Sequence, residues 1–208
     1  MRLTPSLVTL AAPLVLAGVA SAGVIVVDST GGGYAQIQYA VNAAVDGDTI
    51  LVRSGLYQPF TVDDEALTIV AEVGASVFVE GGIRVKDLSA GKVVVLRNLT
   101  SVGDQSVPWF EENGLRVTDC DGSVRVEDCT LFGSPGENSV GLAEEPGRPA
   151  LFASLSKDVS LHHCALIGGP GAFAWLGGAA AAGGCLSASS DMAASFCPGR
   201  RAGGWVGT

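Results

Sequence analysis

Short runs in which apolar and polar residues alternate recur along this chain, and five of them finish alike: apolar, any, apolar, any, then Asn, Asp or His, then Leu or Cys. They are Ile83–Leu88, Val94–Leu99, Leu115–Cys120, Val124–Cys129 and Val159–Cys164. A period of two buries one face of a strand. The fifth position is filled by Asp87, Asn98, Asp119, Asp128 and His163, the residue types that most readily take a positive φ outside glycine. Each run therefore predicts a strand, a sharp corner and an inward residue. Recurrence of that unit is the pattern of a parallel β-solenoid.

Three copies superpose with every inward position apolar: Val94, Val124 and Val159; Leu96, Val126 and Leu161; Leu99, Cys129 and Cys164. The intervals of 30 and 35 residues between them leave room for at least two short strands per turn and predict roughly three turns. The third turn is more weakly patterned. It is expected to set Ala150, Phe152 and Leu155 over Leu115, Val117 and Cys120, with Ser154 at the corner. The insertions Asp104–Asn113 and Pro135–Arg148 read as surface loops. Val24–Val27 reads as a first strand, and the spacing of Ile37, Ala40, Val41 and Ala44 predicts a helix that covers the open end of the first turn.

Composition adds a context. Arg2, an apolar run and Ala20-Ser21-Ala22 make residues 1–22 resemble a secretory signal. An uncleaved membrane anchor is the alternative, since no charge occurs between Arg2 and Asp28. No stable membrane span is expected once the signal is removed. The net charge is −9 at pH 7, and it becomes one unit more negative without Arg2. Nucleic acid is thereby excluded as a partner, because binding along its backbone needs a basic footprint. Of the five cysteines, Cys120, Cys129 and Cys164 fall at the inward position after a corner. Stacked strands sit about 4.8 Å apart, so Cys129 and Cys164 are expected as neighbouring buried thiols and not as a disulfide.

From Val26 to Glu72 the chain carries Gly31-Gly32-Gly33-Tyr34, Ile37-Gln38, Gly47-Asp48-Thr49-Ile50 and Gly55-Leu56-Tyr57, and this stretch resembles the opening of pectin-lyase-like proteins, pectinesterases among them. The resemblance implies an all-β fold, a right-handed parallel β-helix with an N-terminal capping helix, over residues 23–169. It also implies a polysaccharide setting in secretions or at the cell surface. The Gln-Asp and Asp-Phe-Ile-Phe-Gly segments of pectinesterase-like enzymes are not present, nor are clustered aspartates of the hydrolase kind. No catalytic role is therefore transferred to a residue of this chain.

Each candidate site has a structural and a functional reading. Asp87, Asp119 and Asp128 belong to corners before they belong to catalysis. Arg97, Glu127 and His162 fall in one exterior column, either a cross-strand electrostatic pairing of about 0.2–1 kcal/mol per pair or a sugar-binding stripe. Asp63-Asp64-Glu65 is a solvated turn or a calcium site. Trp109 and Phe110, followed by Glu111, either stack on a pyranose ring or pack onto the solenoid. Gly31–Gly33 reads as a turn, since no phosphate-loop pattern surrounds it. Residues 170–208, rich in glycine and alanine, are expected to be disordered, as a truncated or frame-shifted product would leave them, with end-to-end self-association through the uncapped terminus. The expected function is a non-catalytic scaffold or carbohydrate-contacting surface protein. The alternative is a lyase, esterase or glycoside hydrolase acting on uronate-containing polymers.

Overall fold

A computed structural model describes residues 22–104, 112–136 and 147–170. The elements are β1 (Val24–Val27), α1 (Ile37–Val41), β2 (Thr49–Val52), β3 (Gly55–Tyr57), β4 (Phe60–Asp63), β5 (Thr68–Ala71), β6 (Val77–Glu80), β7 (Ile83–Lys86), β8 (Val93–Arg97), β9 (Thr100–Val102), β10 (Leu115–Glu127), β11 (Thr130–Phe132), β12 (Leu151–His162) and β13 (Ala165–Ile167). Every pairing between these strands is parallel. One sheet has eight strands and the other, β3-β6-β9-β11-β13, has five. The larger sheet bends within β10, whose first half pairs with β7 and whose second half pairs with β8. The fold is all-β, parallel and solenoid-like, with three strand segments to a layer and four successive layers beginning at β4, β7, β10 and β12.

The stack exists because like residues meet in register. Ile25, Ile50, Ile69, Leu96, Val126 and Leu161 form one interior column. Val94, Val124 and Val159 form the next. Removing each such side chain from water contributes on the order of 1.5–3 kcal/mol. The third segments carry Tyr57, Val79, Ser101, Leu131 and Leu166 inward, and the buried Ser101 hydroxyl donates to Gly114 O at 2.7 Å.

All five predicted corners are present, with φ of 55° at Asp87, 57° at Asn98, 55° at Asp119, 52° at Asp128 and 51° at His163. Asp64 is a further one, at 54°. The last layer departs from expectation. Leu151, Ala153 and Ser156 stand over Leu115, Val117 and Cys120, and the corner is Leu155, at φ 50°, not Ser154. The expected register was displaced by one residue. Ser156 takes the inward place by donating its hydroxyl to Ser154 O at 2.9 Å, which leaves Leu155 74% exposed.

At the other end α1 buries Ile37, Ala40 and Val41. Its Gln38 amide closes the edge of β4, accepting from Thr61 N at 2.7 Å and donating to Thr61 O at 3.2 Å. That side chain supplies the two bonds a neighbouring strand would make. Tyr34 likewise bridges to Val27, donating to Val26 O and accepting from Asp28 N. The Gly31–Gly33 turn allows this approach, because a Cβ on Gly33 would lie 2.3 Å from Val26 O. Asp28 fastens the turn, accepting from Thr30 Oγ1 at 2.6 Å, Thr30 N at 2.8 Å and Arg53 at 2.9 Å. These bonds, the Thr30 ones foremost, hold its carboxyl down at about 2.

Two predictions follow from the corners and the turn. Asp119→Asn is expected to change stability by less than about 0.5 kcal/mol, whereas Asp119→Val lowers it by about 1–2 kcal/mol, and Leu155→Asn raises it; urea midpoints of the purified variants check all three. Asp28 has a depressed carboxyl, so its contribution is full above about pH 4, where an unfolded aspartate is ionised, and disappears as the pH falls through about 2. Asp28→Asn is therefore expected to lower stability at pH 7 and to make the acid limb shallower. Some slope remains, since Asp46, Asp48 and Asp64 are also lowered. Thermal melts from pH 7 to pH 2 give the comparison.

Candidate functional site

Polar side chains converge where β8, β10 and β12 end and the chain turns toward β9, β11 and β13. Glu127 registers between Arg97 and His162 on the exterior, as the alternation predicted. The corners add Asn98, Asp128 and His163 one residue later, so two columns run side by side. Arg97 Nε lies 3.5 Å from Glu127 Oε2 and 3.7 Å from Asp128 Oδ2. His163 Nδ1 lies 3.7 Å from Asp128 Oδ1, and the two imidazoles meet edge to face at 4.9 Å between centroids. These are solvated contacts, with Arg97 and Asp128 about half exposed. Each is worth little in stability and leaves its groups available to a ligand.

Beside the patch is an open depression of about 260 Å³, lined in part by Phe78, Asn98, Thr100, Asp128, Thr130 and Ser76. Phe78, Thr100 and Thr130 are in register on the outer face of the five-stranded sheet, and Phe78 is 38% exposed. A half-exposed aromatic face ringed by two threonine hydroxyls, an amide and a carboxylate presents an apolar plane with donors and acceptors at its border. A sugar ring has the complementary make-up, with C–H groups on its faces and hydroxyls at its rim.

The acidic triplet is held within the fold. Asp63 pairs with Lys86 at 2.5 Å, and Lys86 also reaches Asp87 at 2.9 Å. Asp64 accepts from Ser89 N at 2.8 Å and lies 3.5 Å from Lys92, which binds Asp46 at 3.1 Å as well. Burial raises the carboxyl pKa of Glu65. Among the described residues no three His, Cys, Asp or Glu side chains come together as a metal-binding group. Trp109, Phe110 and Glu111 lie outside the described residues, as do residues 1–21 and 171–208. Among the described residues no helix is long and apolar enough to cross a membrane.

Cys120, Cys129 and Cys164 are free thiols. Cys129 is buried, contacts Leu96 O and Glu127 O through its sulfur, and is pushed up to about 11, chiefly by that burial. Burial also raises Cys120. A thiol that stays protonated at neutral pH is a poor nucleophile, so these two serve packing.

Sequence reasoning placed Arg97, Glu127 and His162 together, treated Asn98, Asp128 and His163 as corners alone, and did not find Phe78, Thr100 or Thr130. The last two follow Leu99 and Cys129 by one residue, so the same superposition carried one position further pairs them. Phe78 lies in a layer without the corner phrase and has no such marker. Comparison of the chain with family models, curated proteins and solved structures yields no match.

Alkylation of denatured, unreduced protein is expected to label Cys120, Cys129 and Cys164 together, while folded protein at pH 7 leaves Cys129 unlabelled. Peptide mapping by mass spectrometry reads both outcomes.

Proposed function

We propose that this chain is a secreted right-handed parallel β-helix of the pectin-lyase-like kind, and that it serves as a non-catalytic scaffold that contacts carbohydrate through the patch and depression around Asn98 and Asp128. The observation that carries this reading is the half-exposed Phe78 ring in register with Thr100 and Thr130, beside side chains already held at the corners. Charge sets the class of ligand. One arginine and two carboxylates, with two imidazoles beside them, give the patch no excess of positive charge, and the chain as a whole is acidic. Neutral saccharide hydroxyls suit such a surface better than a uronate polyanion does.

The scaffold half of the reading is supported by where the acids stand. Asp64, Asp87, Asp119 and Asp128 are corner residues with positive φ, and Asp63, Asp64 and Asp87 are paired with lysines. The signal-like residues 1–22 support export. A polysaccharide-active enzyme is the rival, with Asp128 beside His163 as its one acid-imidazole pair among the described residues.

Glycan-array binding with a parallel assay for reducing ends and unsaturated products tests the proposal. Binding without turnover is expected, and Phe78→Ala is expected to weaken it about tenfold, near 1.4 kcal/mol, with an unchanged melting temperature. Turnover that Asp128→Asn abolishes in a folded protein would replace this reading with the enzymatic one.

A further inference from the structure

The two ends of the stack are finished differently. Gln38 and Tyr34 bond to the backbone edge at the start. At the far end the interior is open among the described residues: Val124, Val126, Cys129 and Leu131 are at most 2% exposed, whereas Val159, Leu161, Cys164 and Leu166, one layer on, are only partly buried. The edge is also unpaired among the described residues. His162 O accepts from Asp128 N, so the alternate residues Val159 and Leu161 direct their N–H and C=O groups away from β10. A free edge of this kind is a template for a further strand.

We infer that this edge receives the same edge of a second copy, the two β12 strands running antiparallel about a two-fold axis through Ser160. The strand is complementary to its own reverse. Paired in this way, Asp158-Val159-Ser160-Leu161-His162 sets Val159 against Leu161, Ser160 against Ser160 and Asp158 against His162. Val159 and Leu161 carry the free backbone groups, so each such pair exchanges both of its bonds across the axis. The side chains agree with the backbone. Val159 and Leu161 face the interior and are partly buried, and an axis normal to the sheet lays the two open interiors against each other. Asp158, Ser160 and His162 are exposed on the other face, where each carboxylate accepts an imidazole N–H of the other copy. Other registers fail. A slip of one residue sets free amides against residues bonded to β10. A slip of two sets Leu161 against Lys157 in one direction and Val159 against His163 in the other. Such a contact is isologous and closes at two copies, whereas an unrelated strand has no reason to carry the reverse of this pattern. The sealed first end opposes growth beyond the pair. This inference concerns β12 and does not rest on the carbohydrate reading.

Sedimentation equilibrium of the full chain tests it, in about 0.15 M salt, where repulsion between two acidic copies is screened beyond about 8 Å. The mass is expected to rise to twice that of the chain, and no further, as the concentration approaches about 100 μM. A monomer throughout, which another segment of the same chain laid along β12 would give, overturns the inference, and so does growth beyond two copies. Ser160→Cys reads the register. Residues opposed at the axis form a non-hydrogen-bonded antiparallel pair with Cα atoms about 4.5 Å apart, a separation a disulfide spans. Mild oxidation is expected to link position 160 of one copy to position 160 of the other, as peptide mapping shows. Absence of that link, or a self-link formed as readily by Lys157→Cys, sinks the proposal. Charge reversal gives a reading that misfolding cannot imitate. Asp158→Lys is expected to weaken association about tenfold, and adding His162→Asp to restore it; failure of either step counts against the paired strands.

Discussion

A parallel strand bonds to its two neighbours through alternate residues, so each layer is held to the next at every second residue, and a slip of one position would turn its entire apolar set outward. Layers of different loop length must therefore bring their strands back to the same height and phase. The corner makes this possible. One residue with φ near 50–57° turns the chain without adding length, and it sits at the same register position in successive layers. Asp64, Asp87, Asp119 and Leu155 mark one edge of the stack, and Asn98, Asp128 and His163 mark another. The longest insertions stand at the third edge, between β9 and β10 and between β11 and β12, and shorter ones open the other two edges between β7 and β8 and between β5 and β6.

That arrangement determines what the acidic side chains can do. An aspartate is chosen at a corner because it tolerates the left-handed backbone, and its carboxylate then projects at the rim, within reach of neighbouring layers. The lysines exploit this. Lys92 links Asp46 to Asp64, and Lys86 links Asp63 to Asp87. Ion pairs this exposed add little to stability, yet they relieve repulsion between stacked acids in a chain of net charge −9. At the Asn98 edge no lysine intervenes among the described residues, and Arg97 alone reaches both Glu127 and Asp128 there. The difference leaves polar groups there beside an exposed aromatic ring, which is why the patch, and not the acidic triplet, carries the functional reading.

The parts legible in the sequence were those in which burial and backbone conformation demanded the same residue. The runs from Ile83 to Leu88 and from Val124 to Cys129 announced strand, corner and inward residue at once, and Arg97, Glu127 and His162 followed as a column. The three-residue strands β3, β9, β11 and β13 gave no such signal, because alternation over three positions does not stand out from a loop. Asp64 was hidden for a different reason: Leu67 resumes the interior three residues after it instead of one, so its corner lacks the phrase. The last layer misled outright. Leucine at a positive φ runs against local preference, and a register chosen to hide Leu155 was displaced by one residue from the one that keeps Leu151 and Ala153 inside. Gln38 was assigned to a helix start, whereas its amide takes the place of a strand, a role that depends on tertiary distance alone.

The asymmetry between the two ends limits how such a stack can associate. Head-to-tail growth requires β1 of one molecule to receive β12 of another, but the Tyr34 bridge already occupies backbone groups of Val26 and Asp28, and the Gln38 amide occupies those of Thr61. A filament would have to displace both. The far end has no comparable closure among the described residues, so any partner strand must arrive there. Its interior is also the least well filled, with Ala153 and Ser156 standing where Val117 and Cys120 stand one layer before. Reduced packing in the final layer lowers what is lost if that layer frays, and it makes the exposed Leu155 and Ile167 the side chains on which solubility at this end depends.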